Sequence, residues 1–145
     1  MVCRNFGLAV EQIAHSNPDI PVVLYLGGYP QGSATMFMRA LLRNKRYIHL
    51  YRSPIVPLVA VLWPKAKAEE LLSWSQDHPK MTRADDGNAA KWMNATGQVM
   101  LVCVPSLVNH LDLVPSVKGG NQAGEGRDKL RVGLSMAEDG LLYAW

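Results

Sequence analysis

The sequence predicts an α/β fold of three layers, with helices packed on a small mixed sheet. Three observations carry that reading. Segments with apolar residues at helical spacing alternate with short apolar runs, the order of elements an α/β protein shows. The runs "PVVLYL" (21–26), "LVAVLW" (58–63) and "QVMLVCV" (98–104) are apolar throughout, as strands covered on both faces are. Proline, glycine and polar clusters separate the segments.

The elements follow in order. Phe6, Val10 and Ile13 recur at helical spacing with Ala9 beside them, and "SNPD" (16–19) stops that helix. "PVVLYL" is a buried strand ended by Gly27 and Gly28. "GGYPQGS" (27–33) is a loop, with Ser33 placed to cap a helix over "ATMFMRALLRN", whose apolar residues are Met36, Met38, Leu41 and Leu42. "RYIHLYR" alternates as an edge strand does, before Pro54 and Pro57 break the chain. "LVAVLW" is a second apolar strand, and Pro64 opens a helix through "KAKAEELLSW" as a first-turn residue. "SQDHPKMTR" is a loop. "ADDGNAAKWMNAT" (84–96) is a helix with acidic residues in its first turn and Gly97 after its end. "QVMLVCV" is the third buried strand. Three apolar strands make a thin sheet. "KGGNQAGEGRDK" (118–129) is a Gly- and charge-rich loop, and "VGLSMAEDGLLYAW" ends the chain with apolar residues suited to docking on the body. Residues 1–118 are thus expected to form one domain, and 119–145 a loop and tail.

Composition bounds the function. With 145 residues the chain is long enough for one real core, and 48% hydrophobic with 19% charged residues is the balance of an ordinary globular protein. A net charge of +3 and a pI near 9.0 suit an anionic ligand without requiring one. Two distant cysteines, Cys3 and Cys103, do not make a disulfide framework. Glu11, Gln12 and His15 interrupt any signal-peptide core, and no run approaches the ~18 apolar residues of a membrane span. A cytoplasmic protein without membrane contact is expected.

The chemistry-bearing residues cluster between Met81 and His110. Asp85 and Asp86 fit two readings. Acidic residues at a helix start complement the helix dipole, and a carboxylate pair also supplies a general base or a metal-shell oxygen, each group raising the other's proton affinity. His110 follows "PSLVN" beyond the third strand. It is a hydrogen-bonded structural residue or, at the carboxyl edge where open α/β sheets bind ligands, an imidazole able to coordinate a divalent cation. Ser106, His110 and Asp112 contain the residue types of a hydrolase triad but lie in one segment, with no Gly-x-Ser-x-Gly elbow. "GYPQGS" lacks the lysine of a phosphate loop, and the Cys and His residues lack zinc spacing. The basic, aromatic-containing run "RALLRNKRYIHLYR" (39–52) is a solvated helix face with an edge strand, or a phosphate-contacting surface for nucleic acid.

At "ADDGNAAKWMNATGQVMLVCVPSLVNHLDLVPS" the chain resembles the C-terminal half of GT-A-type glycosyltransferases of bacteria and phages. There an acidic pair, a helix with an aromatic residue, an apolar strand and a Pro-Ser-Leu-Val-x-His segment follow in this order. "VCRNFGLAVEQIAHSNPDIPVVLYLGGYP" resembles the helix and strand behind the donor-site metal motif, and "VAVLWPKAKAEELLSW" the central strand and its helix. The similarity spans residues 2–118 and implies a partial GT-A-like fold. It implies transfer of a sugar from a nucleotide-diphospho-sugar to a hydroxyl acceptor, assisted by Mn²⁺ or Mg²⁺. Asp86 would then be the base toward the acceptor hydroxyl, Asp85 its neighbour or substitute, and His110 the metal ligand near the diphosphate. Lys118 and Arg127 would add positive charge at the diphosphate, chosen by charge and by no motif.

This chain departs from that pattern in one respect. It contains no Asp-x-Asp, and Met1 stands where that motif ends in the family. The nucleotide-binding half is therefore expected from another segment, a second chain or a second copy completing the sheet. The alternatives are a non-catalytic remnant kept as a binding module, possible in a phage, and a nucleic-acid-associated factor using the basic run.

Overall fold

A computed structural model describes residues 2–25, 31–51, 60–78 and 85–108, without the side chains of 31–34 and 85–86. Its elements are α1 (Phe6–Ser16), β1 (Val22–Val23), α2 (Gln31–Leu42), β2 (Tyr47–Leu50), β3 (Val61–Leu62), α3 (Lys65–Asp77), α4 (Asp85–Thr96) and β4 (Met100–Cys103). The fold is α/β, with four helices and an open mixed sheet of four strands among the described residues.

The strand order is β2-β4-β1-β3. β4 and β1 form a parallel pair, with Val22 opposite Leu101 and Val23 opposite Val102. β2 lies antiparallel to β4, and β3 antiparallel to β1. The two central strands are buried along their whole length, and the edge strands are mostly half-buried. The unpatterned apolar runs 21–26 and 98–104 therefore contain the two central strands, because both faces of those strands meet helices.

Alternation along the strands divides the interior into two cores. Val23, Met100, Val102 and Val104 meet Phe37 and Ala40 of α2 and Ala89, Ala90, Trp92 and Met93 of α4. Val22, Leu24, Leu101 and Cys103 meet Ala9 and Ile13 of α1, with Cys3 and Leu107. Successive strand residues point to opposite faces, so α1 covers one face and α2 and α4 the other, with Leu71 and Trp74 of α3 at the margin. Three layers result. Each fully buried large apolar side chain, such as Ile13 or Met100, contributes about 1.5–3 kcal/mol.

Helix ends are set by local bonds. At the end of α1, the backbone N–H and the side-chain Nδ2 of Asn17 both donate to the Ile13 carbonyl, at 3.0 and 2.9 Å. α2 and α4 share a different closure. Asn44 (φ 52°) and Gly97 (φ 68°) take left-handed backbone, and the next amides, Lys45 and Gln98, donate to Ala40 and Met93. This is the Schellman closure.

Four expectations need correction. α2 begins at Gln31, so Ser33 lies inside the helix rather than capping it. Its buried positions are Phe37 and Ala40, while Met36, Met38 and Leu42 are exposed, Leu42 to 83%. Apolar residues surround more than one face of this helix, and only the arc holding 37, 40 and 41 meets the sheet. α3 continues through Ser75, Gln76 and Asp77, predicted as loop, with Pro64 at its N-cap rather than in its first turn. No breaker occurs before Pro79, whose ring disfavours helix at His78. β3, likened to a central strand, is a two-residue edge strand, because only β1 pairs with it among the described residues. Residues 58–59 of that run, and 109–145 including the predicted loop and tail, lie outside the described residues. Cys3 and Cys103 are buried and form no disulfide. Among the described residues no helix is long and apolar enough to cross a membrane.

Candidate functional site

The site is built from the unit α4–β4. The link over residues 97–99 is too short for anything but a reversal, closed by the Gln98 amide on the Met93 carbonyl at 3.0 Å. α4 therefore runs back along β4, with Trp92 and Met93 packed in one core with Met100 and Val102. Twelve helical residues span about 18 Å at 1.5 Å each. A strand at about 3.3 Å per residue regains that height in five or six residues, near Val104 and Pro105. The first turn of α4, which begins with Asp85 and Asp86, thus stands at the end where β4 leaves the sheet.

Two further segments reach that edge. β1 is parallel to β4, so Leu24 and Tyr25 leave the sheet in the same direction. The Leu107 amide donates to the Leu24 carbonyl at 2.8 Å, holding the two exits together. On the other side of β4, Tyr47 stands opposite Cys103, which puts the turn of Arg43, Asn44, Lys45 and Arg46 level with Val104. The carboxyl edge of a parallel pair is the general ligand edge of open α/β sheets. Here an acidic helix start, two strand exits and a basic turn are gathered there.

The predicted residues fall as follows. Asp85 and Asp86 are the first two residues of α4, and their side chains lie outside the description. His110, Lys118 and Arg127 lie outside the described residues, as does Asp112. Ser106 is fully buried and engaged by a partner, which removes it as an exposed nucleophile. Val104–Pro105 is a cis peptide. Among the described residues no three His, Cys, Asp or Glu side chains gather around a metal-sized space. The side chains of Asp85, Asp86 and His110, the residues on which a fit to Mn²⁺ or Mg²⁺ is expected to rest, lie outside the described residues.

Sequence reasoning missed a hollow beside the acidic turn. Trp63, Leu71, Leu72 and Ser75 face Asn88 and Ala89 of α4 across a cavity of about 320 Å³, at the small end of ligand-sized pockets. The Trp63 ring lies 6.0 Å from that of Trp92, at 55°. Trp92 is fully buried, and its Nε1 has no hydrogen-bond partner among the described residues. A tryptophan directly after an apolar strand was the available signal, but its partner in α4 becomes visible only in the folded chain.

Among the described residues, Tyr47 is a titratable group whose environment is clearly perturbed. Burial pushes its phenol above the ordinary value of 10.0, and nearby Cys103 adds to the rise. The hydrogen bond with Asn17 and the charge of Arg46 oppose it. The chain matches no protein-family model, no curated protein and no solved structure.

Proposed function

We propose that the chain is the acceptor- and metal-side part of a GT-A-type glycosyltransferase, moving a sugar from a nucleotide-diphospho-sugar to a hydroxyl acceptor. One observation carries the reading: the acidic first turn of α4 and the exit of β4 share the carboxyl edge of the parallel pair. In this reading Asp86 accepts the proton of the acceptor hydroxyl, with Asp85 beside it tuning its basicity. His110 holds a divalent ion, and Lys118 and Arg127 add charge at the diphosphate. Mn²⁺ or Mg²⁺ supplies neutralisation of the leaving diphosphate. The tryptophan-lined hollow next to Asn88 is the acceptor's nearest apolar support. The nucleotide-binding residues come from another segment or chain, and two buried cysteines without a disulfide suit a cytoplasmic setting.

A second reading is a non-catalytic remnant acting as a binding module. The outer edges of β2 and β3, unpaired among the described residues, favour it, since open edges accept another strand. Titration calorimetry of the chain with uridine, guanosine and adenosine diphosphates in Mn²⁺, with sugar release from the matching donors, separates the two. Metal-dependent binding with release supports the transferase. Silence at millimolar ligand, with no sugar release once the segment or chain that supplies the nucleotide-binding residues is added, assigns the remnant.

A further inference from the structure

We infer that the groove between α2 and the open edge of β2 is a binding site for the phosphodiester backbone of single-stranded nucleic acid. This inference does not depend on sugar transfer. The groove is open, about 320 Å³ in volume, with Arg39, Arg43, Lys45 and His49 around a floor that includes Ala40 and Ile48. Among the described residues no Asp or Glu lines it, and Arg39, Arg43 and Lys45 join no ion pair.

Local structure fixes the cations. Arg39 lies in the last turn of α2 and Arg43 one residue past its end. The Arg43 amide still donates to the Arg39 carbonyl at 3.2 Å, a helical spacing that brings their Cβ atoms within about 5–6 Å. That spacing is comparable to the step between successive phosphates of an extended strand. The Schellman closure at Asn44 then turns the chain, with the Lys45 amide on the Ala40 carbonyl at 2.9 Å, and holds Lys45 beside the same groove. The dipole of α2 accounts for a basic residue in its last turn, but not for Lys45 beyond it.

The strand edge adds a donor. Arg46 bonds β4 through Val104, and by antiparallel alternation Ile48 and Leu50 face β4 as well. The backbone of His49 therefore points away from β4, toward the groove. A row of cations with an outward amide along an open groove fits a strand passing through. An enclosed pocket would fit a single nucleotide instead, and none lies here. Exposed Tyr51, at the end of this edge, offers a face for base stacking.

The test is fluorescence anisotropy of the 145-residue chain with a labelled oligothymidine of about 12 nucleotides, titrated across salt concentrations. Three phosphate contacts give a log–log salt slope of about −2, a loss of roughly 20-fold between about 50 and 200 mM salt. Arg39→Ala/Arg43→Ala/Lys45→Ala should weaken binding at least tenfold and flatten the slope. Lys45→Gln alone should lower the slope by about 0.7. Lys65→Ala/Lys91→Ala, on exposed positions of α3 and α4, should change neither. The inference is overturned by no saturable binding at low salt, by full affinity in the triple variant, or by equal loss in the Lys65/Lys91 variant. Pyrophosphate displacing the oligonucleotide at equal phosphate concentration would also overturn it, and would reassign the groove to free diphosphates.

Discussion

The backbone N–H of Val104 donates to the carbonyl of Arg46 at 2.8 Å, tying the exit of the central strand to the basic turn after α2. Val104 is also packed in the core that α4 covers. The acidic start of α4 and the cations of residues 43–46 are therefore held at one edge by two rigid elements, β4 and α4.

Asp86→Asn should abolish sugar transfer while leaving the fold intact. A removed general base costs about 10²–10⁴-fold in rate. The same change removes one negative charge from the start of α4, worth about 0.3–1 kcal/mol through the helix dipole. Turnover of the loaded protein and urea unfolding of the variant measure the two effects separately. Wild-type turnover in Asp86→Asn would take Asp86 out of the mechanism. A loss of several kcal/mol would make its role structural.

Trp92→Ala should destabilise the chain by about 3–5 kcal/mol, since the indole is fully buried and packs against Trp63. Trp92→Phe should lose less than half of that, because a ring still faces Trp63 and an indole N–H without a partner among the described residues is removed. Denaturant midpoints of the two variants give the ratio. Equal losses would mean that the Nε1 group is satisfied in solution.

Gly97→Ala should cost about 1 kcal/mol, although nothing lies within 4 Å of the added Cβ. The penalty is one of backbone alone, since φ is 68° and alanine avoids that region. Asn44→Gly, at φ 52°, should be close to neutral, and Asn44→Ala should resemble Gly97→Ala. Thermal unfolding checks all three. Because Gly97 sets the reversal that aligns α4 with β4, its variant should also weaken whatever activity depends on Asp86.

Parts of this arrangement are legible in the sequence, for physical reasons. α1 and α4 carry strong signals: helical spacing at Phe6, Val10 and Ile13, and an acidic start with a glycine stop around 84–97. β4 reads as central because seven consecutive residues offer one polar side chain, Gln98. Ser33 misleads, since a capping side chain is worth only about 1 kcal/mol and α2 already begins at Gln31. The edge position of β3 is not legible, because composition reports burial and says nothing of which strand pairs on which side. The groove is half legible. The basic run over 39–52 is plain, but the reversal at Asn44 that folds its two halves around one space is a property of backbone geometry. The gathering of Asp85 and Asp86 with the exit of β4 follows from the short link after Gly97. Its meeting with the basic turn follows from the pairing of β2 with β4, which no local pattern encodes.

Alkaline stability should report on Tyr47. Its phenol is held above the ordinary value of 10.0, first by burial and then by Cys103, so the folded chain retains a proton that the unfolded chain gives up. A group with a raised folded pKa contributes stability that is fully present below the unfolded value. That contribution is lost as pH rises from about 10 through the folded value. Wild-type protein should therefore lose stability in this window, and Tyr47→Phe should lose less across it. At neutral pH the order reverses. Tyr47→Phe gives up the hydrogen bond with Asn17, which joins the end of α1 to the edge strand, at about 0.5–1.5 kcal/mol. Cys103→Ser should bring the phenol part of the way down and narrow the window. Tyrosinate absorbance against pH, with urea midpoints on both sides of pH 10, measures each term. Parallel curves for wild type and Tyr47→Phe would show that the phenol is solvated in solution and that the contact between β2 and α1 is loose.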